Sequence, residues 1–92
     1  MIICAAIKIT VDGNKTVVVP GYRHPDCYEL LSELYAAYSR DNLVEGFIDN
    51  SGNFLDRFEA FSHAVSCGQL SSTTLEQKYE RCEVQLYSED LY

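Results

Sequence analysis

The stretch from Gly46 to Gly68 most narrows what this chain can fold into, because it marks a strand, a reversal and a helix in close succession. Gly46-Phe47-Ile48 is a brief apolar run, too short to be a helix of its own. Asp49-Asn50-Ser51-Gly52 concentrates residues that form Asx-type turns or accept positive φ, so the chain should reverse there. Asp56, followed by Glu59, predicts a capping-box helix start with Asp in place of Ser or Thr. Phe58, Phe61 and Val65, with Ala64 beside them, recur at helical spacing and predict one apolar face. Gly68 supplies the stop.

The rest of the chain supplies partners for this unit. Ile2 to Thr10 is rich in β-branched residues and predicts a first strand, apolar on one face and partly apolar on the other. Asp12-Gly13-Asn14 is a hairpin signal, with Thr16 to Val19 returning as the second strand and Pro20-Gly21 closing it. Arg23-His24-Pro25-Asp26 predicts a helix start, with Pro25 at the first helical position and Asp26 and Glu29 at the positive end of the dipole. Cys27, Leu30, Leu31, Leu34 and Tyr38 form its apolar stripe, which should fade by Ser39 to Asn42. Ser71 to Thr74 reads as a loop, and Leu75 to Tyr79 as either a helical turn or an extended segment. Glu83 to Tyr87 alternates polar with apolar residues and predicts a last strand. The expected fold is one α+β domain over residues 1–92, a small and mostly antiparallel sheet with two packed helices.

Composition removes several classes of function. At 92 residues the core is modest, so association of copies is an expected source of stability. A formal net charge of −7 argues against binding a nucleic-acid polymer, while a few of the seven Lys and Arg can still line a pocket for a small anion. No apolar run approaches a membrane span and no signal-peptide pattern opens the chain, so a cytoplasmic location without membrane contact is expected. Cys4, Cys27, Cys67 and Cys82 are irregularly spaced, which points to free thiols rather than a metal site. No Walker loop, dinucleotide-binding glycine fingerprint or metal-binding His pair is present, and no cofactor is expected.

Five residues are candidates for contact with an anionic ligand. Arg23 and His24 stand where a strand gives way to a helix, a place suited to phosphate; the plain alternative is that His24 caps and Arg23 pairs with Asp26. Arg57 occupies the first turn of a helix, where a cation opposes the dipole, so Arg57→Ala is expected to leave stability unchanged or slightly raised. Its plain alternative is a surface pair with Asp56 or Glu59. Phe47 and Phe54 bracket the turn and are either core residues or stacking surfaces for a base. His63 and Cys67 can meet across one helical turn, but the sequence offers them no orienting group and no oxyanion site.

The pattern Gly-Phe, polar turn, Gly-x-Phe, then Arg-x-Glu-Ala, a helix and Gly-Gln resembles a motif of small phage- and prophage-encoded proteins. Arg23-His24 and the closing Ser88-Glu89-Asp90-Leu91-Tyr92 are further shared features. The chain thus resembles the Thoeris anti-defence sponges, which sequester cyclic ADP-ribose-type immune signals; Asn53 stands where that family often has Arg. The resemblance implies an oligomeric, non-enzymatic protein of the host cytoplasm that binds a cyclic nucleotide without cleaving it, with Arg23, His24, Phe47, Phe54 and Arg57 as ligand contacts. Net charge keeps a second reading open, an acidic inhibitor that blocks a bacterial defence protein by direct contact. A nucleotide hydrolase finds no acidic metal cluster to support it.

Overall fold

The computed structural model describes residues 1–11, 15–35 and 43–91. Strands β1 (Ile2–Val11), β2 (Lys15–Gly21), β3 (Val44–Asp49) and β4 (Phe54–Asp56) form one sheet in the order β2-β1-β3-β4, antiparallel throughout. Helices α1 (His24–Leu34), α2 (Arg57–Ser66) and α3 (Ser72–Glu80) follow the chain, and a single 3-10 turn spans Ser88–Asp90. The α+β class is as expected, with a third helix added.

The register sorts the strand residues onto two faces. Ala5 lies opposite Phe47, and Ile7 opposite Val19 and Glu45. These apolar residues join Ile9, Cys27, Leu31, Ala60, Phe61, Ala64 and Leu86 in one core. Strand β1 is therefore central because its alternate residues meet both helices α1 and α2. The other face carries Cys4, Ala6, Lys8 and Thr10 of β1, Val18 and Pro20 of β2, Val44, Gly46 and Ile48 of β3, and Phe54. Ala6 is fully buried yet lies outside that core, and Val18 and Val44 are exposed, so no described helix covers this second face.

Local chemistry explains the element ends. Pro25 sits in the first turn of α1, and the backbone N–H of Arg23 donates to Asp26 Oδ2 at 3.0 Å. Asp49 Oδ1 accepts from the backbone of Ser51 and Asn53, both at 2.9 Å, which closes the Asx turn ahead of Gly52 at φ +82°. Asp56 accepts from the N–H groups of Phe58 and Glu59, while Glu59 accepts from Asp56 N, so the capping box forms as the spacing required. Gly68, at φ +66°, ends the segment, and Gln69 then turns back to β1. Its Nε2 donates to Ile2 O and its Oε1 accepts from Ile2 N, both at 2.7 Å, an amide side chain doing the work of a neighbouring strand.

Several expectations need correction. Ser71 to Thr74 is not a loop: Ser71 caps α3 through Thr74 N, and Ser72 opens the helix. Glu83 to Tyr87 forms no strand and joins no sheet; its backbone is bound by α2 and α3 instead: Leu86 N donates to Arg57 O, and Gln85 O accepts from Lys78 Nζ. Phe58 does not belong to the buried face of α2; it is 56% exposed, and Ala60 takes its place inside. Strand β4, formed by Phe54 to Asp56, was not anticipated. Strand β2 also runs on through Pro20 to Gly21, which an edge position permits. Helix α1 stops at Leu34, with Tyr35 already in extended backbone, short of the expected fade at Ser39 to Asn42, and Leu34 of the expected apolar stripe is exposed. The hairpin turn at 12–14, Tyr38 and Tyr92 lie outside the described residues.

Candidate functional site

Two of the five candidate residues, His24 and Arg57, hold the C-terminal segment, and Phe47 packs against the His24 ring. His24 is buried: Nε2–H donates to the Gly46 carbonyl at 2.9 Å, leaving Nδ1 to accept from the Ser88 hydroxyl at 2.8 Å. Its ring meets Phe47 edge-on at 5.1 Å between centroids. Burial, with the Arg57 charge nearby, holds its pKa below the ordinary imidazole value. Both nitrogens are thus used within the fold. Phe47 itself is fully buried core, with no ring face toward solvent.

Arg57 is a clasp rather than a free cation. One guanidinium nitrogen donates to Leu86 O and another to Glu45 Oε2, each at 2.7 Å, while the group stacks over Tyr87 at 4.7 Å. The cost of a cation in the first helical turn is offset by these contacts, which the local sequence did not reveal. The cleft beside it, about 330 Å³, is lined by Leu43, Val44, Phe58 and Gln85 as well as Glu45, Asp56 and Arg57. Two carboxylates against one already-bonded guanidinium make that cleft a poor receptor for an anion.

Lys78, which sequence reasoning passed over, completes the clasp. It is 2% exposed; its ammonium donates to Gln85 O at 2.7 Å and pairs with Asp90 at 2.8 Å. The rings of Tyr87 and Phe61 lie 5.0 and 5.7 Å from the ammonium nitrogen. In the sequence Lys78 looks like any polar residue of a solvated helix; only the covering segment makes it interior. His24, Arg57 and Lys78 together bind residues 85–90, so the closing Ser-Glu-Asp of the motif is framework.

Phe54 and Arg23 lie elsewhere. Arg23 is half-buried at the start of α1 and its backbone serves the cap. Phe54 lies half-buried on the uncovered face of the sheet, and Lys8 Nζ stands 5.6 Å from its ring centroid. Gly46 makes room for this ring: a Cβ there would stand 2.6 Å from Phe54 Cζ and closer still to the Leu55 carbonyl. The ammonium lies over the ring, so this face of Phe54 is a cation–π site that a planar base can take only when Lys8 swings aside. Lys8, the one charged residue in β1, is the member of this group that sequence reasoning missed.

Phe58, Phe61, Ser62, Val65, Ser66, Tyr79 and Val84 line a shallow apolar groove of about 430 Å³ between α2 and the α3 region. His63 and Cys67 stand on the surface of α2 and its C-cap, with Sγ 3.6 Å from Nε2. Asp49 is near enough to feel the His63 charge; its pKa lies below the ordinary carboxylate value chiefly through the Asn53 backbone hydrogen bond. Among the described residues no group of three or more potential ligands could hold a metal, and no helix is long and apolar enough to cross a membrane.

These features define a small α+β domain with one sheet face that no described helix covers and its own C-terminal segment clasped against its helices. The chain belongs to the phage T4 y16D protein family, whose pattern it matches over residues 1–92. That membership makes it a phage protein and says nothing of cyclic nucleotides. No curated protein and no solved structure matches the chain.

Proposed function

We propose that this phage protein is an anti-defence sponge, which binds a cyclic ADP-ribose isomer or a cyclic oligonucleotide and withholds it from its effector without cleaving it. The observation that carries the reading is the Phe54 platform with Lys8 beside it on the uncovered sheet face. Adenine stacks on the ring in place of the Lys8 ammonium, which swings out to a phosphate. Sequestration needs this pair and no general base. A second copy laid over the same face would enclose the ligand, which fits the expected homo-oligomer. The resemblance to Thoeris sponges supports the nucleotide class, and the setting is the host cytoplasm.

Mass spectrometry of small molecules released by heat, after incubation with extract from defended cells, tests the proposal. Return of an intact cyclic nucleotide supports it, and a cleaved product would replace it with an enzyme. Calorimetry with the released nucleotide should show Phe54→Ala weakening binding by about 1–3 kcal/mol, the scale of one base stack. Lys8→Ala should weaken it by about 1.5–3 kcal/mol, the scale of one charge-assisted hydrogen bond.

A second reading is favoured by a different observation. The groove between Phe58 and Tyr79 leaves two rings exposed, at 56% and 65%, on a chain of net charge −7. Such a surface suits an inhibitor that grips a basic, apolar patch of a defence protein. Release of no nucleotide, with loss of protection in Phe58→Asp, would favour this reading.

A further inference from the structure

We infer that His63 and Cys67 form half of a binding site for a soft divalent cation, Zn2+ above all, and that the same pair from a second copy completes it. The inference rests on α2 and its C-cap and stands apart from the nucleotide proposal. Cys67 Sγ lies 3.6 Å from His63 Nε2. In a tetrahedral zinc site, with Zn–S of about 2.3 Å and Zn–N of about 2.0 Å, the sulfur–nitrogen edge is about 3.5 Å. The two donors are therefore already spaced as ligands, without rebuilding the helix. Cys67 is exposed and His63 half-buried, so a cation can reach them from solvent.

The surroundings favour positive charge at that point. Cys67 is the C-cap of α2, where the helix dipole is negative. One chain offers no third ligand among the described residues, whereas a closed zinc site takes four. Two copies related by a two-fold axis supply two thiolates and two imidazoles. Zn2+ would also offset the repulsion between two chains of net charge −7 each. On binding, each Cys67 thiol gives its proton to solvent and its sulfur lone pair to the metal, and no electron is transferred.

The test is titration of the full chain with Co2+, followed by displacement with Zn2+, beside sedimentation with Zn2+ and with a chelator. The expected result is thiolate-to-cobalt absorption saturating at one metal per two chains, lost in both Cys67→Ser and His63→Ala and retained in Cys82→Ser. Both side chains lie outside the core, so the metal-free variants should melt with the parent, which separates lost binding from lost folding. If the metal-free chain is already oligomeric, the stoichiometry and the two-thiolate spectrum still decide. Equal Zn2+ uptake by His63→Ala, or one Zn2+ per chain, would overturn the shared site.

Discussion

His24 shows how one buried side chain couples the fold to pH. Its folded pKa is depressed, so the unfolded chain binds the proton more readily. The stability it contributes is therefore present above the unfolded imidazole value, about 6.5, and is lost as pH falls through the lower folded value. Thermal melts from pH 7.5 down to pH 5 should show a falling transition temperature, with a flatter profile in His24→Gln; equal slopes would place the titration elsewhere. Arg57 tells against the expectation drawn from its helix position. Removing it strips partners from the Leu86 carbonyl and from Glu45, so Arg57→Ala should destabilise the fold by about 1–3 kcal/mol. Urea unfolding measures this directly. At Gly46 the obstruction is backbone, not a flexible side-chain end, and Gly46→Ala should cost at least as much as an overpacked core position, about 1–3 kcal/mol.

Among the elements, the C-terminal segment departs furthest from expectation. Glu83 to Tyr87 has the alternation of a strand, yet hydrogen bonds from α2 and α3 capture it before any sheet edge does. Its last residues are held within the chain: Ser88 meets His24, Asp90 meets Lys78, and Leu91 packs against the core. Deleting Ser88 to Tyr92 should therefore lower the melting temperature at every protein concentration. A loss confined to low concentration would point to docking between subunits. Lys78→Ala leaves Asp90 without its partner and the Gln85 carbonyl without its donor, a change of about 3–5 kcal/mol on the scale of broken buried ion pairs. Lys78→Met should recover part of that loss through packing against Phe61 and Tyr87.

At the scale of the whole molecule, helices cover one side of the sheet, and among the described residues no helix lies on the other. A small domain that leaves Val18, Val44 and part of Phe54 on an open face gains by covering it. Sedimentation at micromolar concentration should find at least a dimer, and Val44→Lys with Val18→Lys should shift it toward monomer while leaving the core untouched. Monomers from the parent chain would remove this role for the face.

The sequence by itself determined the local parts: the β1–β2 pairing, the Asx turn at Asp49, the capping box of Asp56 and Glu59, and the stop at Gly68. The turn, the capping box and the stop depend on residues within a few positions of one another, and the β1–β2 pairing joins strands adjacent in sequence. Only the tertiary structure decided which side chains became interior. His24, Arg57 and Lys78 read as surface or ligand-facing groups until the segment 85–90 folds over them and supplies their partners. Phe47 and Phe54 carry the same chemistry in the sequence, and the pleat alone separates them. One residue is turned into the core, and the other onto the open face beside Lys8. Burial and long-range hydrogen bonding are properties of contacts between distant residues, and no local spacing encodes them.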